Sequence, residues 1–490
     1  MSLSMAQSLF LLTLANLAMR AVSMLFQVHL SDLVGAAGLG LLQLIMTVHA
    51  FAMTVGTSGI RTAAMYLSAE EYGHRRFAGI RSAMLWCMGS GLILSMIVGL
   101  AMILGAEALA LYWVKDLRAA ASLRLLGLTL PLNCLSSILC GYFTACGQIK
   151  KLVFVEIADR IATVWLTIWL LQRGIRGDLS HACLSMIGGG ALASLGSVFV
   201  LLAFLFSDFR RHRDGLPSAD MGHRLFRFCV PVALNDYLRS GLGTLEQFLI
   251  PYGLAKCGGS RTKALADYGI IHGMVFPVLM FLSTVLFSLS DLLIPRLARL
   301  KAERNTSAIR RLAEKALHTS WLFAVTVGGL IFVLASALGL LLYDNSTAGQ
   351  YLRVFAPLLP ILYLDCIVDG MHKGLGEQIY CVRVNTLTNF LDVIGLFFLL
   401  PYFGIAGYFF TYVFTHVLNF ILSLHRLIKV SGTQPKPTSY LSPLLCVCGT
   451  AWFITGFAPP EASWSHVLLC GGLYLILVFL LLVLTKQKDT

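Results

Sequence analysis

Apolar residues run through this chain in continuous stretches of about twenty, the length that crosses a bilayer as a helix. Polarity does not alternate residue by residue within them, so helices are predicted rather than strands. Lipid offers no partner to an open backbone, which selects helices for the same positions. About fourteen spans are expected, on 6–29, 37–62, 79–104, 119–145, 152–172, 181–206, 226–252, 265–294, 312–340, 350–372, 382–400, 405–427, 441–458 and 465–485. The polar interruptions are short and leave no room for a soluble catalytic domain. The two longest run from Asp208 to Arg227 and from Arg296 to Lys315. The second contains an amphipathic stretch, Ala308 to Ala316, suited to a membrane surface. The expected fold class is an all-α polytopic membrane protein.

The spans fall into two related sets. Leu123-Arg124, Pro131, Gly141 and Gly147-Gln148 recur 229 residues later as Leu352-Arg353, Pro360, Gly370 and Gly376-Glu377. Ile80-Arg81 and Gly99 recur as Ile309-Arg310 and Gly328 in the same frame. Leucine matches between greasy segments arise easily. Matched proline, arginine and glycine do not, because each has its own backbone or electrostatic role. Spans 1–6 thus pair with spans 7–12. Six is even, so the copies share one orientation across the membrane, an arrangement found in transporters. The expected organisation is an N-terminal six-helix lobe at 1–207, a cytoplasmic linker at 208–225, a C-terminal six-helix lobe at 226–428 and two additional helices at 429–490.

Composition sharpens this picture. The chain is 57% hydrophobic and 12% charged, too apolar for a soluble protein of its size. Its formal charge of +13 is sorted by loop, which argues against nucleic acid as a partner. One set of loops holds Arg75, Arg76, Lys150, Lys151, Arg210 and Arg211, with a further series through Lys488; the opposite set holds mainly Lys115, Arg118, Arg173, Arg176, Lys256, Arg261 and Lys263. By the positive-inside rule the chain is a multi-pass protein of the cytoplasmic membrane with both termini in the cytoplasm. The first span lacks the flanks of a cleaved signal and reads as a retained helix. The twelve cysteines are scattered, and Cys446-x-Cys448 lacks metal-binding spacing, so no metal is expected.

One segment runs Leu33-Val-Gly-Ala-Ala-Gly-Leu-Gly-Leu-Leu-Gln and continues to Thr57-Ser-Gly-Ile-Arg-Thr-Ala-Ala-Met-Tyr-Leu. With Gly141-Tyr-Phe-Thr-Ala-Cys-Gly-Gln-Ile149 it resembles the polysaccharide-exporter and stage V sporulation protein B-like branch of the multidrug/oligosaccharidyl-lipid/polysaccharide (MOP) flippase superfamily. The resemblance covers nearly the whole chain. It implies two six-helix lobes around a central cavity and movement of lipid-linked sugars by alternating access. The chain is similar, more distantly, to the lipid II flippases, which carry paired arginines just before the stretch that here reads Thr57-Ser58-Gly59. Ala52-Met53-Thr54 stands there instead, a departure that counts against lipid II itself as substrate and leaves a related undecaprenyl-linked sugar open.

Ionisable residues inside spans are expensive and therefore mark function. Arg20 lies within span 1 with Asn16 one turn away; Arg239 and Asn235 repeat that spacing in span 7, where Asp236 and Glu246 add acids. Guanidinium matches phosphate bidentately, so these six form the candidate substrate site, one arginine per lobe holding a diphosphate. The competing reading pairs each arginine with a neighbouring acid or lets it snorkel to an interface. Asp365, Asp369 and Lys373 make a charged stripe on span 10, and Asp392 adds an acid to span 11. These are candidates for ion coupling or gating, with Na+ or H+ as the possible cation, or else for packing between helices. Glu156 and Arg160 have ion-pair spacing in span 5. Pro131 and Pro360 mark bends shared by both copies. Gly56 and Gly59, around Thr57-Ser58, either loosen span 2 near a gate or allow close packing. His49, His272 and His416 read as packed polar side chains rather than a proton relay.

No phosphate-binding loop of a nucleotidase and no hydrolase or transferase constellation is present, so no catalytic residue, enzyme activity or cofactor is expected. The leading function is a flippase or exporter of a lipid-linked oligosaccharide or polysaccharide precursor for cell-envelope or spore-wall synthesis. Its partners would be membrane lipids and a polyprenyl-linked sugar, with the protein monomeric and associated with other envelope-synthesis proteins. Two alternatives remain open: a cation-coupled multidrug exporter, and a non-transporting scaffold for wall synthesis.

Overall fold

The computed structural model describes residues 5–73, 77–173, 179–211, 220–258, 260–434, 437–457 and 463–488. Among them no strand occurs, and the helices follow the predicted order. They are α1 (Met5–Thr57), α2 (Ile60–Gly73), α3 (Phe77–Leu104), α4 (Ala120–Ala145), α5 (Ile149–Arg173), α6 (Leu179–Arg211) and α7 (Met221–Lys256). Then come α8 (Arg261–Gly269), α9 (Ser283–Ala302), α10 (Thr306–Tyr343), α11 (Ser346–Phe355), α12 (Leu359–Gly374), α13 (Gln378–Ser431), α14 (Pro437–Phe457) and α15 (Trp464–Lys488).

Two of these helices each hold two predicted spans. α1 turns at Gly35 (φ 67°) and α13 at Gly404 (φ 56°), backbone conformations that a Cβ disfavours. The breaks separate spans 1 and 2 and spans 11 and 12. Among the described residues, 9 helices are long and apolar enough to cross a membrane, α1 and α13 counting once each, and the pair Arg261–Leu279 and Ser283–Ala302, bent by 60°, passes the same test of length and composition when taken together. The more polar α5 and α7 occupy the predicted fifth and seventh spans. The protein is a multi-pass membrane protein.

Contacts divide the chain into two compact units, Gly40–Leu249 and the residues up to Leu39 together with those from Ile250 onward. This grouping differs from the sequence-ordered lobes 1–207 and 226–428, because each leading span goes with helices of the other copy. Specific bonds explain the exchange. In one unit Arg20 of α1 binds the chain just before α9. In the other, α7 meets the start of α2: a Cβ at Gly59 would lie 2.7 Å from the Cys229 carbonyl oxygen. Arg224 of α7 also pairs with Glu70 and Glu71 at 2.8 Å each.

The 229-residue repeat is a repeat of contacts. In the unit 40–249, a Cβ at Gly99 would lie 2.5 Å from the Gly127 carbonyl oxygen, and one at Gly141 2.8 Å from that of Arg61. In the other unit the corresponding glycines meet the corresponding residues: Gly328 lies against Ala356, and Gly370 against Ser290. The helix ends recur as well. Lys115 (φ 56°) and Asp344 (φ 45°) both adopt the left-handed conformation. Asp116 and Asn345 follow them, each side chain capping a backbone N–H two or three residues on, at 3.0 Å. After α4 and α12 the chain leaves through Gly147 (φ 69°) and Gly376 (φ 72°). Gln148 N–H then donates to the Phe143 carbonyl at 2.9 Å, and Glu377 N–H to that of His372 at 2.8 Å, the same closing bond in both copies. The prolines diverge in setting: Pro131 lies inside continuous α4, whereas Pro360 opens α12 after a 3₁₀ turn at Ala356–Leu358.

The two additional helices pack on α10 through an apolar cluster that includes Val325, Leu334, Val447 and Ile454. Tyr474 OH donates to the Thr326 carbonyl at 3.0 Å, and Trp321 Nε1 to that of Tyr440 at 2.9 Å. Both satisfy polar groups that lipid would leave bare.

Candidate functional site

Within the unit 40–249, α1 ends at Thr57 and α2 starts at Ile60, with Ser58 and Gly59 as the break. Gly59 takes φ 77°, and its lack of a Cβ lets the Cys229 backbone close in. The break exposes two sets of backbone groups. The carbonyls ending α1 look for donors, and Tyr237 OH supplies one to Val55 O at 3.1 Å. The first N–H groups of α2 have no partner within their own helix and carry its positive dipole end.

Beside the break is a cavity of about 440 Å³ lined by Met53, Thr54, Thr57, Gly59 and Thr62, with Ser58, Arg61, Asp236, Arg239 and Ser240. Ser58 Oγ donates to Asp236 Oδ2 at 2.6 Å, tying the break to α7. Thr57 Oγ1 donates to the Met53 carbonyl at 2.8 Å, which turns that hydroxyl back onto its own helix. Arg61 and Arg239 are both exposed. Two guanidiniums against the single Asp236 carboxylate leave the lining with a charge of +1. Cationic donors, hydroxyls and a helix N-terminus together make a receptor for an anionic oxygen cluster such as a phosphate.

Of the predicted substrate residues, Arg239 and Asp236 line this cavity. Glu246 is half-buried further along α7 and does not line it. The side chains of Asn16 and Asn235 lie outside the described residues. Arg61 stands in the motif Thr57-Ser-Gly-Ile-Arg-Thr, but no charge pattern singles it out. The available signal was Gly59: a glycine that breaks a span makes the residues after it the N-terminus of a new helix.

Arg20 belongs to the other unit and has other work there. The bent span stops at Leu279 and resumes at Ser283, which frees carbonyls inside the membrane. Arg20 Nη1 donates to the Met280 carbonyl at 2.6 Å and to Ser283 Oγ and Thr284 Oγ1 at 2.9 Å each. Tyr363 OH donates to the neighbouring Leu279 carbonyl at 2.6 Å. A guanidinium here closes a broken helix, the compensation that buried irregular backbone requires.

The same unit holds the predicted coupling residues. Asp369 Oδ1 accepts from Cys381 Sγ at 3.1 Å, while Asp365 Oδ1 is buried without a partner among the described residues. Lys373 is exposed at the end of α12. Asp392 is 5% exposed and accepts from Thr415 Oγ1 at 2.6 Å. Nearby, Asn419 Nδ2 donates to Asn385 Oδ1 at 2.7 Å. α12 and α13 therefore share a polar layer inside a membrane unit. No group of three or more metal-ligating side chains occurs among the described residues. In α5, Asp159 Oδ1 accepts from Ser197 Oγ at 2.7 Å, while Glu156 and Arg160 are exposed. His272 stacks on Phe276 and His416 on Tyr412.

Comparison with known proteins accords with this architecture. The polysaccharide biosynthesis protein family matches residues 5–301, and the MatE family matches residues 262–398. Stage V sporulation protein B of Bacillus subtilis (strain 168) is 24% identical over 452 residues, 90% of this chain and 87% of that protein. The fold is similar to that of the lipid II flippase MurJ in an inward closed conformation, with a TM-score of 0.72 at 11% identity over 98% of this chain and 99% of that one. It is also similar to an inward-facing multidrug resistance MATE family transporter, with a TM-score of 0.68 at 15% identity over 85% and 96%. With a family match over more than half its length and the duplicated helical frame in place, the chain belongs to the polysaccharide biosynthesis protein family, on the stage V sporulation protein B-like branch of the MOP flippase superfamily.

Proposed function

We propose that this protein is a flippase for a lipid-linked oligosaccharide or polysaccharide precursor, working by alternating access in the cytoplasmic membrane with both termini in the cytoplasm. The observation that carries the reading is the cavity at the Ser58-Gly59 break, where Arg61, Arg239 and the N-terminus of α2 converge. The diphosphate of an undecaprenyl-linked sugar suits that donor set in sign of charge and in hydrogen-bonding chemistry. The similarity to stage V sporulation protein B supports a role in envelope or spore-wall synthesis. Asp365, Asp369 and Asp392 are the proposed coupling or gating acids, with Lys373 as the counter-charge at the end of α12. A carboxylate held inside the membrane exchanges its proton or cation when solvent access changes.

The test is transport in proteoliposomes loaded with a fluorescent undecaprenyl-diphosphate sugar. Wild-type protein moves the lipid between leaflets, and Arg61→Gln with Arg239→Gln together abolish movement. No movement by wild-type protein under any ion gradient overturns the reading. The match of the MatE family to residues 262–398, which contain Asp365, Asp369 and Asp392, favours a second reading as a cation-coupled drug exporter. Unchanged drug susceptibility on deletion, with a defect in the wall or spore coat, decides against it.

A further inference from the structure

A second cavity of about 620 Å³ lies between α3 and α7 in the unit 40–249. Trp86, Ile93 and Ile97 of α3 and Phe226 and Val230 of α7 line it. It is open on the outside: Ile93 is 63% exposed and Phe226 58%. Its volume is that of a ligand site rather than of a packing defect. Its position matters more than its size. Ser58, which hydrogen-bonds Asp236 in the cationic cavity, lines this groove too, and so does Tyr237, the next residue after Asp236. The break at Ser58 thus borders both the cationic cavity and the open apolar groove.

We infer that the α3–α7 groove seats the first isoprene units of the lipid whose phosphate occupies the Arg61–Arg239 cavity. The inference rests on the proposed function and extends it from headgroup to tail. The favoured occupant is a lipid phosphate with one hydrocarbon chain. Ser58 lines the apolar groove and the cationic cavity alike, so one molecule that joins a phosphate directly to a hydrocarbon chain can occupy both. Water-to-lipid transfer gives no driving force here, because the tail leaves hydrocarbon to enter the groove. The gain is dispersion contact and the linkage of two weak sites through one molecule. Specificity follows: the groove rewards a chain long enough to reach along α3, and the cavity rewards the phosphate.

Gly89 gives the test. It lines the groove, and a Cβ added there meets nothing within 4 Å, so Gly89→Phe is a substitution that can place a ring in the groove from a position with room for its Cβ. Binding is measured in nanodiscs for two lipids with the same diphosphate sugar, one with an undecaprenyl chain and one with a two-isoprene chain. Wild-type protein is expected to prefer the long chain by about fivefold or more, and Gly89→Phe to erase that preference by weakening the long lipid more than the short one. Arg61→Gln weakens both lipids alike. Equal binding of both lipids by wild type, or a long-chain preference that survives Gly89→Phe, overturns the groove and leaves the headgroup site standing. Indifference of both lipids to Arg61→Gln overturns the headgroup site itself. Should Gly89→Phe not fold, a photoreactive group on the second isoprene of the long lipid decides the matter with wild-type protein. Labelling within residues 85–97 and 226–233 supports the inference; labelling elsewhere, or labelling abolished by an excess of dioleoylphosphatidylglycerol, overturns it.

Discussion

Ser58 Oγ donates to Asp236 Oδ2 at 2.6 Å, so the break in the second span and the seventh span are joined by a charge-assisted bond at the edge of the cationic cavity. The same carboxylate offsets one of the two guanidiniums that line that cavity. Asp236 therefore sets both the shape of the break and the charge an anion meets. Asp236→Asn keeps the hydrogen-bonding shape and removes the charge. Binding of a diphosphate lipid is expected to tighten by about 1 kcal/mol, roughly fivefold, at the effective dielectric of a wet site. Affinity measured at two salt concentrations checks this, because the gain shrinks as salt rises.

Arg61→Gln and Arg239→Gln should each weaken diphosphate-lipid binding by about 1.5–3 kcal/mol, or about 10- to 100-fold, with little change in thermal stability. Both side chains are exposed, so neither substitution strands a buried charge. Titration calorimetry beside a thermal melt separates the two quantities. Loss of binding accompanied by a large drop in Tm would falsify the anion role.

Arg20 behaves in the opposite way. Arg20→Leu leaves the Met280 carbonyl and two hydroxyls without their guanidinium donor at a broken span. The expected cost is about 2–3 kcal/mol of stability, seen as a lowered Tm in detergent. Arg20→Lys restores part of it, since one ammonium reaches fewer of the acceptors. An unchanged melt with lost lipid binding would instead make Arg20 part of the substrate site.

The two copies of the repeat differ in tightness, and this can be measured. A Cβ at Gly99 meets the Gly127 carbonyl at 2.5 Å, whereas one at Gly328 meets that of Ala356 at 3.1 Å. Gly99→Ala should therefore destabilise by about 1–3 kcal/mol, more than Gly328→Ala, because backbone cannot move aside as a side chain can. Paired thermal melts of the two variants test the order.

Arg224→Ala leaves Glu71, 1% exposed, as a buried carboxylate without its guanidinium. Such a loss costs about 3–5 kcal/mol. Adding Glu71→Gln should recover much of the stability, and a double-mutant cycle on the melts reports the coupling.

Much of the fold was legible in order and number. Continuous apolar runs predicted the spans, and recurrent Gly, Pro and Arg predicted the duplication, which reappears as matching helix caps and matching glycine contacts. The candidate site was legible only in part. Arg239 and Asp236 stood out as charges inside a span. Arg61 did not, because its importance comes from the Gly59 break that turns it toward a cavity shared with α7. Arg20 stood out for the same reason as Arg239, yet its partner is a broken helix more than 250 residues away, which no local pattern encodes.

By itself, the sequence determined that this chain is a helical membrane protein built from two related halves. Hydropathy over about twenty residues is a local property, and a duplicated register persists in the letters. Only the tertiary structure decided which helices belong together and what each intramembrane charge does. Contact exchanges the leading spans between the two units, and a guanidinium in lipid is defined by the acceptors it reaches. Arg20 and Arg239 sit in similar sequence settings, yet packing over long sequence separation puts Arg20 on the acceptors of a broken helix and Arg239 in the lining of the cavity beside Asp236.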